Sequence, residues 1–215
     1  KDFDLRSRAI SSLLLKNYNH ALTDFILINE SENNNNETSD GTYMYIGLCY
    51  YALGDMERAT DYFKYPLTNG KEIKYTSDIS VPPSVLLFIG TKLEKQDIIN
   101  LAIKVLKRLS KFKTAAPNYL LEIRSETELD KEFQQYSNPT MRNRWQCKVE
   151  FYKAIHYLQN GSQKKYENHI KNCVALTGKY LEFEYFIAKV EYDKFSGNVN
   201  PVKKNFFDIR HWFNK

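Results

Sequence analysis

The residues that could do chemistry are few and scattered. Four histidines, His20, His156, His169 and His211, are spread along the chain, and no metal site is expected from them. His156, beside Tyr157 on a helix, is expected to be structural or exposed. Cys49, Cys147 and Cys173 are an odd number with no metal-ligand spacing. All three fall at apolar helix positions and are expected to be small buried hydrophobes. There is no Gly-x-Ser-x-Gly elbow and no glycine-rich phosphate loop. Asp55 and Glu57 could pass for an acid pair, but they open a helix. Asp55 is expected to cap it, and Glu57 to favour its N-terminal dipole. The expectation is a protein that is not an enzyme, with no cofactor and no metal.

One charged pattern stands out. Lys104, Lys107, Arg108 and Lys111 follow i, i+3, i+4, i+7 and form a basic stripe on one helix. Ile98, Leu101, Ala102, Val105 and Leu109 form its apolar face. Such a pairing is the pattern of an amphipathic helix with one solvated side. An acidic partner or a membrane surface is the alternative use of that stripe. Nucleic acid is not expected, because aromatics are not interleaved with the charges and the net charge is only +5.

Composition sets the frame for these residues. The chain has 215 residues, enough to bury a core without staples. Tyr (16) and Phe (13) are abundant while Gly (8) and Pro (6) are few, which favours helices over a turn-rich β protein. No apolar run reaches the roughly 18 residues of a membrane span. The chain begins at Lys1 rather than Met. An upstream segment is therefore expected to have been removed or left out, and nothing visible shows that it is a signal peptide.

The stretch from Tyr43 to Phe63 organises the rest. Tyr43, Ile46, Gly47 and Tyr50 share one face of a helix, Leu53-Gly54-Asp55 breaks it, and Ala59 and Phe63 face inward from a second helix. Gly54 suits a left-handed C′ position. Gly47 and Ala59 are expected to let the two helix backbones approach closely. Gly47 and Ala59 lie 12 positions apart, and the same step joins Ala9 to Ala21, Gly90 to Ala102, and Ala154 to Tyr166. Four units follow, at residues 2–30, 41–68, 83–113 and 143–176. In the fourth, Tyr166 takes the place of the small residue and is expected to widen or re-aim its helix pair. Between units, 31–40 is expected to be a polar mobile loop, and 69–82 a loop before a helix led by Pro83. Residues 114–140 fit no repeat, except for a helix over 126–136 opened by a Ser125/Glu128 capping box. Residues 180–195 read as a further helix. The apolar tail with Phe206, Phe207, Ile209, Trp212 and Phe213 reads as a cap over the last open face.

This pattern, aromatic-x2-aliphatic-Gly-x2-Tyr followed by Ala-x3-Phe, resembles the tetratricopeptide repeat (TPR). The resemblance implies an all-α fold: one domain, a TPR-like superhelix of about four helix hairpins with a C-terminal capping helix and tail over 180–215. Phe151-Tyr152, Gly161, Phe183-Glu184-Tyr185 and Ala188-Lys189-Val190-Glu191 are also similar to the closing repeats of bacterial TPR lipoproteins of the NlpI type. That likeness implies an adaptor in a bacterial envelope, with a membrane reached only through an N-terminal anchor. Cytoplasm and periplasm both stay open.

The TPR resemblance implies a protein or peptide partner, held in a concave groove made by the first helices. Register places Met44, Leu48, Tyr51 and Ala52 inward in the second unit. It places Leu87, Thr91, Glu94 and Lys95 inward in the third, and Lys148, Phe151, Ile155 and Gln159 in the fourth. Tyr51 and Lys95 are expected to contact the partner and to be dispensable for folding. The competing expectation is that the C-terminal tail covers some of these residues. Ile10 and Leu48 stand where a chaperone-type carboxylate clamp needs asparagine, so no such clamp is expected. The expected function is a non-enzymatic interaction scaffold. The alternative is a peptide-sensing regulatory TPR domain separated from an N-terminal DNA-binding part.

Overall fold

The computed structural model describes residues 2–35, 39–69, 78–112, 115–176 and 182–197. Among them the protein is all-α, with eleven α-helices and one short 3-10 turn. Four helix hairpins form its body. They are α1 (Asp2–Leu14) with α2 (Tyr18–Asn34), α3 (Asp40–Leu53) with α4 (Met56–Thr68), α5 (Val81–Lys92) with α6 (Gln96–Leu109), and α9 (Pro139–Gln159) with α10 (Gln163–Ala175). Between the third and fourth lie α7 (Ala115–Leu120) and α8 (Glu126–Gln134), and α11 (Phe183–Phe195) closes the described chain. Successive hairpins stack, α2 on α3 and α4 on α5, while α9 packs on α5.

All four hairpins turn in the same way. Lys16, Gly54, Glu94 and Gly161 each have positive φ, at 59°, 84°, 54° and 67°. The N–H of the next residue donates back five positions in each case. Asn17 donates to Ser12 O at 2.8 Å, Asp55 to Tyr50 O at 2.9 Å, Lys95 to Gly90 O at 2.9 Å, and Ser162 to Tyr157 O at 2.8 Å. This is the Schellman ending, which satisfies the last carbonyls of a helix and reverses the chain. Glycine favours that geometry at Gly54 and Gly161. Lys16 and Glu94 adopt it despite their Cβ atoms, so the turn is imposed there by packing of the helices on either side.

Side chains cap some of the helix starts, those of α4, α8 and α9 among them. The Asp55 carboxylate accepts from the Arg58 N–H at 3.1 Å. Ser125 and Glu128 cap α8 reciprocally: the Ser125 N–H donates to Glu128 Oε2 at 2.8 Å, and the Glu128 N–H to Ser125 Oγ at 3.3 Å. Asn138 caps α9 by accepting from the N–H of Thr140 and of Met141.

Gly47 is required by a close approach, though not between backbones. A Cβ built there would stand 2.7 Å from the Phe63 ring, so an aromatic side chain of α4 fills the space beside the glycine. Phe63 and Ala59 are fully buried. Several sequence expectations are corrected. The polar run after Glu30 is helical to Asn34, α5 starts two residues before Pro83, α9 starts at Pro139, and α7 was not anticipated. The apolar tail at 202–213, with His211, lies outside the described residues, as do 36–38 and 70–77.

Candidate interaction face

The helices α3, α5 and α9 carry the residues expected to line a groove. Helix α11 packs on α10, α9 and α3 and reaches α5 through an ion pair of Glu191 with Lys92. Met44, Leu48, Tyr51, Leu87, Phe151 and Ile155 are all buried, with Tyr51 at 0% exposure. The expectation of an open partner groove at Met44, Leu48, Tyr51, Leu87 and Phe151 is therefore corrected. These side chains belong to the core, Tyr51 bonding Glu191 of α11, and the apolar residues Phe183, Phe186, Ile187 and Val190 of α11 are buried in the same core. Ala52 and Thr91 are half-buried, and the Thr91 hydroxyl donates to the Leu87 carbonyl at 2.8 Å. Glu94 and Lys95 are exposed in the α5–α6 turn, and Gln159 is exposed at the end of α9, away from α11 contacts.

Charge holds α11 in place. Glu191 is 1% exposed and is the hub. It accepts from the Tyr51 hydroxyl on α3, and from the Tyr166 hydroxyl on α10 at 2.5 Å. It pairs with Lys92 of α5 at 2.7 Å and with Lys194 of α11 at 2.9 Å. The Lys194 ammonium also sits 3.6 Å from the Tyr51 ring centroid. Burial alone would raise the Glu191 carboxyl. The Lys194 and Lys92 charges, with the hydrogen bonds, outweigh it and bring the group down to about 2. Tyr166, the residue in place of the repeat's alanine, thus serves a different purpose. Its ring meets Phe88 at 6.5 Å, and its hydroxyl reaches α11.

The two ends of α11 are tied as well. Glu182 pairs with Arg144 and, at 3.2 Å, with Lys148, both from α9. Lys148 also reaches Asp78 at 3.4 Å. Lys148, expected to face a partner, therefore anchors α11 instead. The Tyr152 hydroxyl donates to Glu184 Oε1 at 2.8 Å. Asp193 pairs with Lys16 in the α1–α2 turn at 2.8 Å and with Lys189 at 2.6 Å. A cleft of about 330 Å³ stays open beside the first turn of α11, walled by Arg6, Tyr45, Asp78, Arg144, Lys148 and Glu184.

The remaining chemistry-bearing residues are placed as follows. His156 lies 5.1 Å from the Tyr119 ring, and His169 Nδ1 stands 2.9 Å from Glu150 and stacks on Tyr157. His169 and Cys173 are four apart on α10, a spacing that could place two ligands together, but His169 meets Glu150 and Cys173 meets Cys147. Among the described residues no group of three His, Cys, Asp or Glu side chains is arranged to hold a metal ion. Lys104, Lys107, Arg108 and Lys111 are exposed, opposite the buried Ile98, Ala102, Leu106 and Leu109. No described helix is long and apolar enough to cross a membrane.

The sequence reading missed Glu184, Glu191 and Asp193 as structural anchors. The available signal was four acidic residues, Glu182, Glu184, Glu191 and Asp193, in a segment otherwise apolar enough to be core. Among the described residues the protein is all-α, with stacked helix hairpins and a largely buried last helix, α11, whose carboxylates are paired with neighbouring helices. Compared with known proteins, the chain matches no family model and no curated protein sequence.

Proposed function

We propose that this chain is a non-enzymatic protein-interaction scaffold of the TPR kind, whose inner face receives an amphipathic helix bearing carboxylates. The supporting observation is α11 itself. It lies against α3, α9 and α10 and pairs with Lys92 of α5, using apolar anchors for area and carboxylates for register. Helix-in-groove recognition works by this division of labour. Glu184 and Glu191 are two turns apart, so both point from one side of α11 into the face. A partner protein presenting a helix of the same character would occupy this face in exchange for α11.

The test is a titration of the intact chain with a fluorescein-labelled peptide of the sequence 182–197. In the wild-type chain α11 competes at very high local concentration, so weak or no binding is expected. In Glu191→Ala, α11 loses its hub while the face keeps Lys92, Tyr51 and Tyr166, so the peptide should bind and restore the lost pairing. A Glu191→Ala chain that still melts cooperatively yet binds no peptide would overturn the proposal.

A further inference from the structure

Cys147 on α9 and Cys173 on α10 are fully buried, and their thiol sulfurs stand 3.0 Å apart. Two sulfurs in ordinary contact do not come this close, and a disulfide bond is about 2.05 Å long. The two thiols are thus already placed side by side. Cys49, buried in α3, has no sulfur neighbour among the described residues.

We propose that Cys147 and Cys173 form an intrachain disulfide that staples α9 to α10, made by thiol–disulfide exchange with a small disulfide as the hairpin closes. That small disulfide is glutathione disulfide. One cysteine thiolate attacks a glutathione sulfur, forming a mixed disulfide and expelling one glutathione thiolate. The second cysteine thiolate then attacks the mixed disulfide at the protein sulfur and expels the other. Two protein thiols are oxidised, one glutathione disulfide is reduced to two thiols, and the two protons pass to the released thiolates.

Burial explains when this happens. In the closed hairpin, burial first and the neighbouring Cys147 second hold the Cys173 thiol well above the ordinary thiol range. Little thiolate is then present to attack, and exchange belongs to the open hairpin, where both thiols meet water. Once closed, the same burial shields the bond from reductants. The crosslink spans 26 positions of chain, long enough to restrict the unfolded state markedly. It also lies beside α11, since Cys173 Sγ is 4.0 Å from the Glu184 carbonyl at the start of that helix. This inference does not depend on the partner proposed above.

The experiment is oxidative refolding of the unmutated full chain. Reduced, denatured protein is refolded in a glutathione redox buffer, alkylated with N-ethylmaleimide, digested and mapped by mass spectrometry. A linked peptide joining Cys147 to Cys173, with Cys49 alkylated, is expected. The oxidised protein should melt about 5–10 °C above the same protein in dithiothreitol. That difference should vanish in the Cys147→Ala/Cys173→Ala variant. Full alkylation of all three cysteines after refolding, or linkage through Cys49, would overturn the inference.

Discussion

At the scale of single residues, Tyr51 shows how a side chain's role depends on what arrives from elsewhere in the chain. It is one position past Tyr50, which turns toward the paired helix, where Arg58 lies 4.3 Å from its ring centroid. Tyr51 therefore points the other way, as register requires. Register says nothing of what waits there, and the answer is Glu191, 140 positions later. Tyr51→Ala should destabilise the fold by about 3–5 kcal/mol, because it opens a cavity and removes a donor from a buried carboxylate. Lys95→Ala, on an exposed turn, should move the melting temperature by less than about 2 °C. Differential scanning calorimetry of the two variants checks both expectations, and equal melting temperatures would show that Tyr51 is not packed as described.

At the scale of elements, the hairpins were legible and the connections less so. The 12-residue step finds the helix pairs because small residues recur in them, although the close contacts are with other residues, Gly47 with Phe63 and Gly90 with Ile98 and Ile99. Gly47 is the clearest case, since Phe63 occupies the space of its missing side chain. Gly47→Leu should cost on the order of 1–3 kcal/mol or more by overpacking, read as a lowered midpoint in urea. A midpoint near that of wild type would mean that Phe63 can swing away. Helix α7 was not legible because Ala115-Ala116-Pro117 has no periodic apolar pattern of its own, and its residues are buried by what surrounds them. The groove was misread for the same kind of reason. A repeat pattern reports contacts inside a repeat, whereas α11 reaches across several of them.

At the scale of the whole molecule, the buried acids should give stability an acid edge. The Glu191 carboxyl is held near 2 in the folded protein, while the unfolded chain has the ordinary glutamate value of 4.5. Its folded value is depressed, so its contribution is fully present above about pH 5. It is lost as the pH falls from there toward 2, for a total on the order of 3 kcal/mol. Glu184 acts in the opposite sense, because burial raises it and protonation relieves that cost. Urea midpoints measured from pH 7 to pH 3 should therefore fall, and the fall should be smaller in Glu191→Gln. A midpoint independent of pH over that range in the wild-type chain would show that the Glu191 network does not form.

The position of α11 in the chain has a consequence for how the protein is made. Lys92 leaves the ribosome 99 residues before the glutamate that neutralises it. At about 5–20 residues per second, that interval is about 5–20 s. During it the first three hairpins can stack, but Tyr51, Phe88 and Lys92 face water with their cover still unmade. Until α11 is made, these residues have no cover from that helix. A helix supplied by another chain, as proposed above, would meet no competition from α11 in that interval.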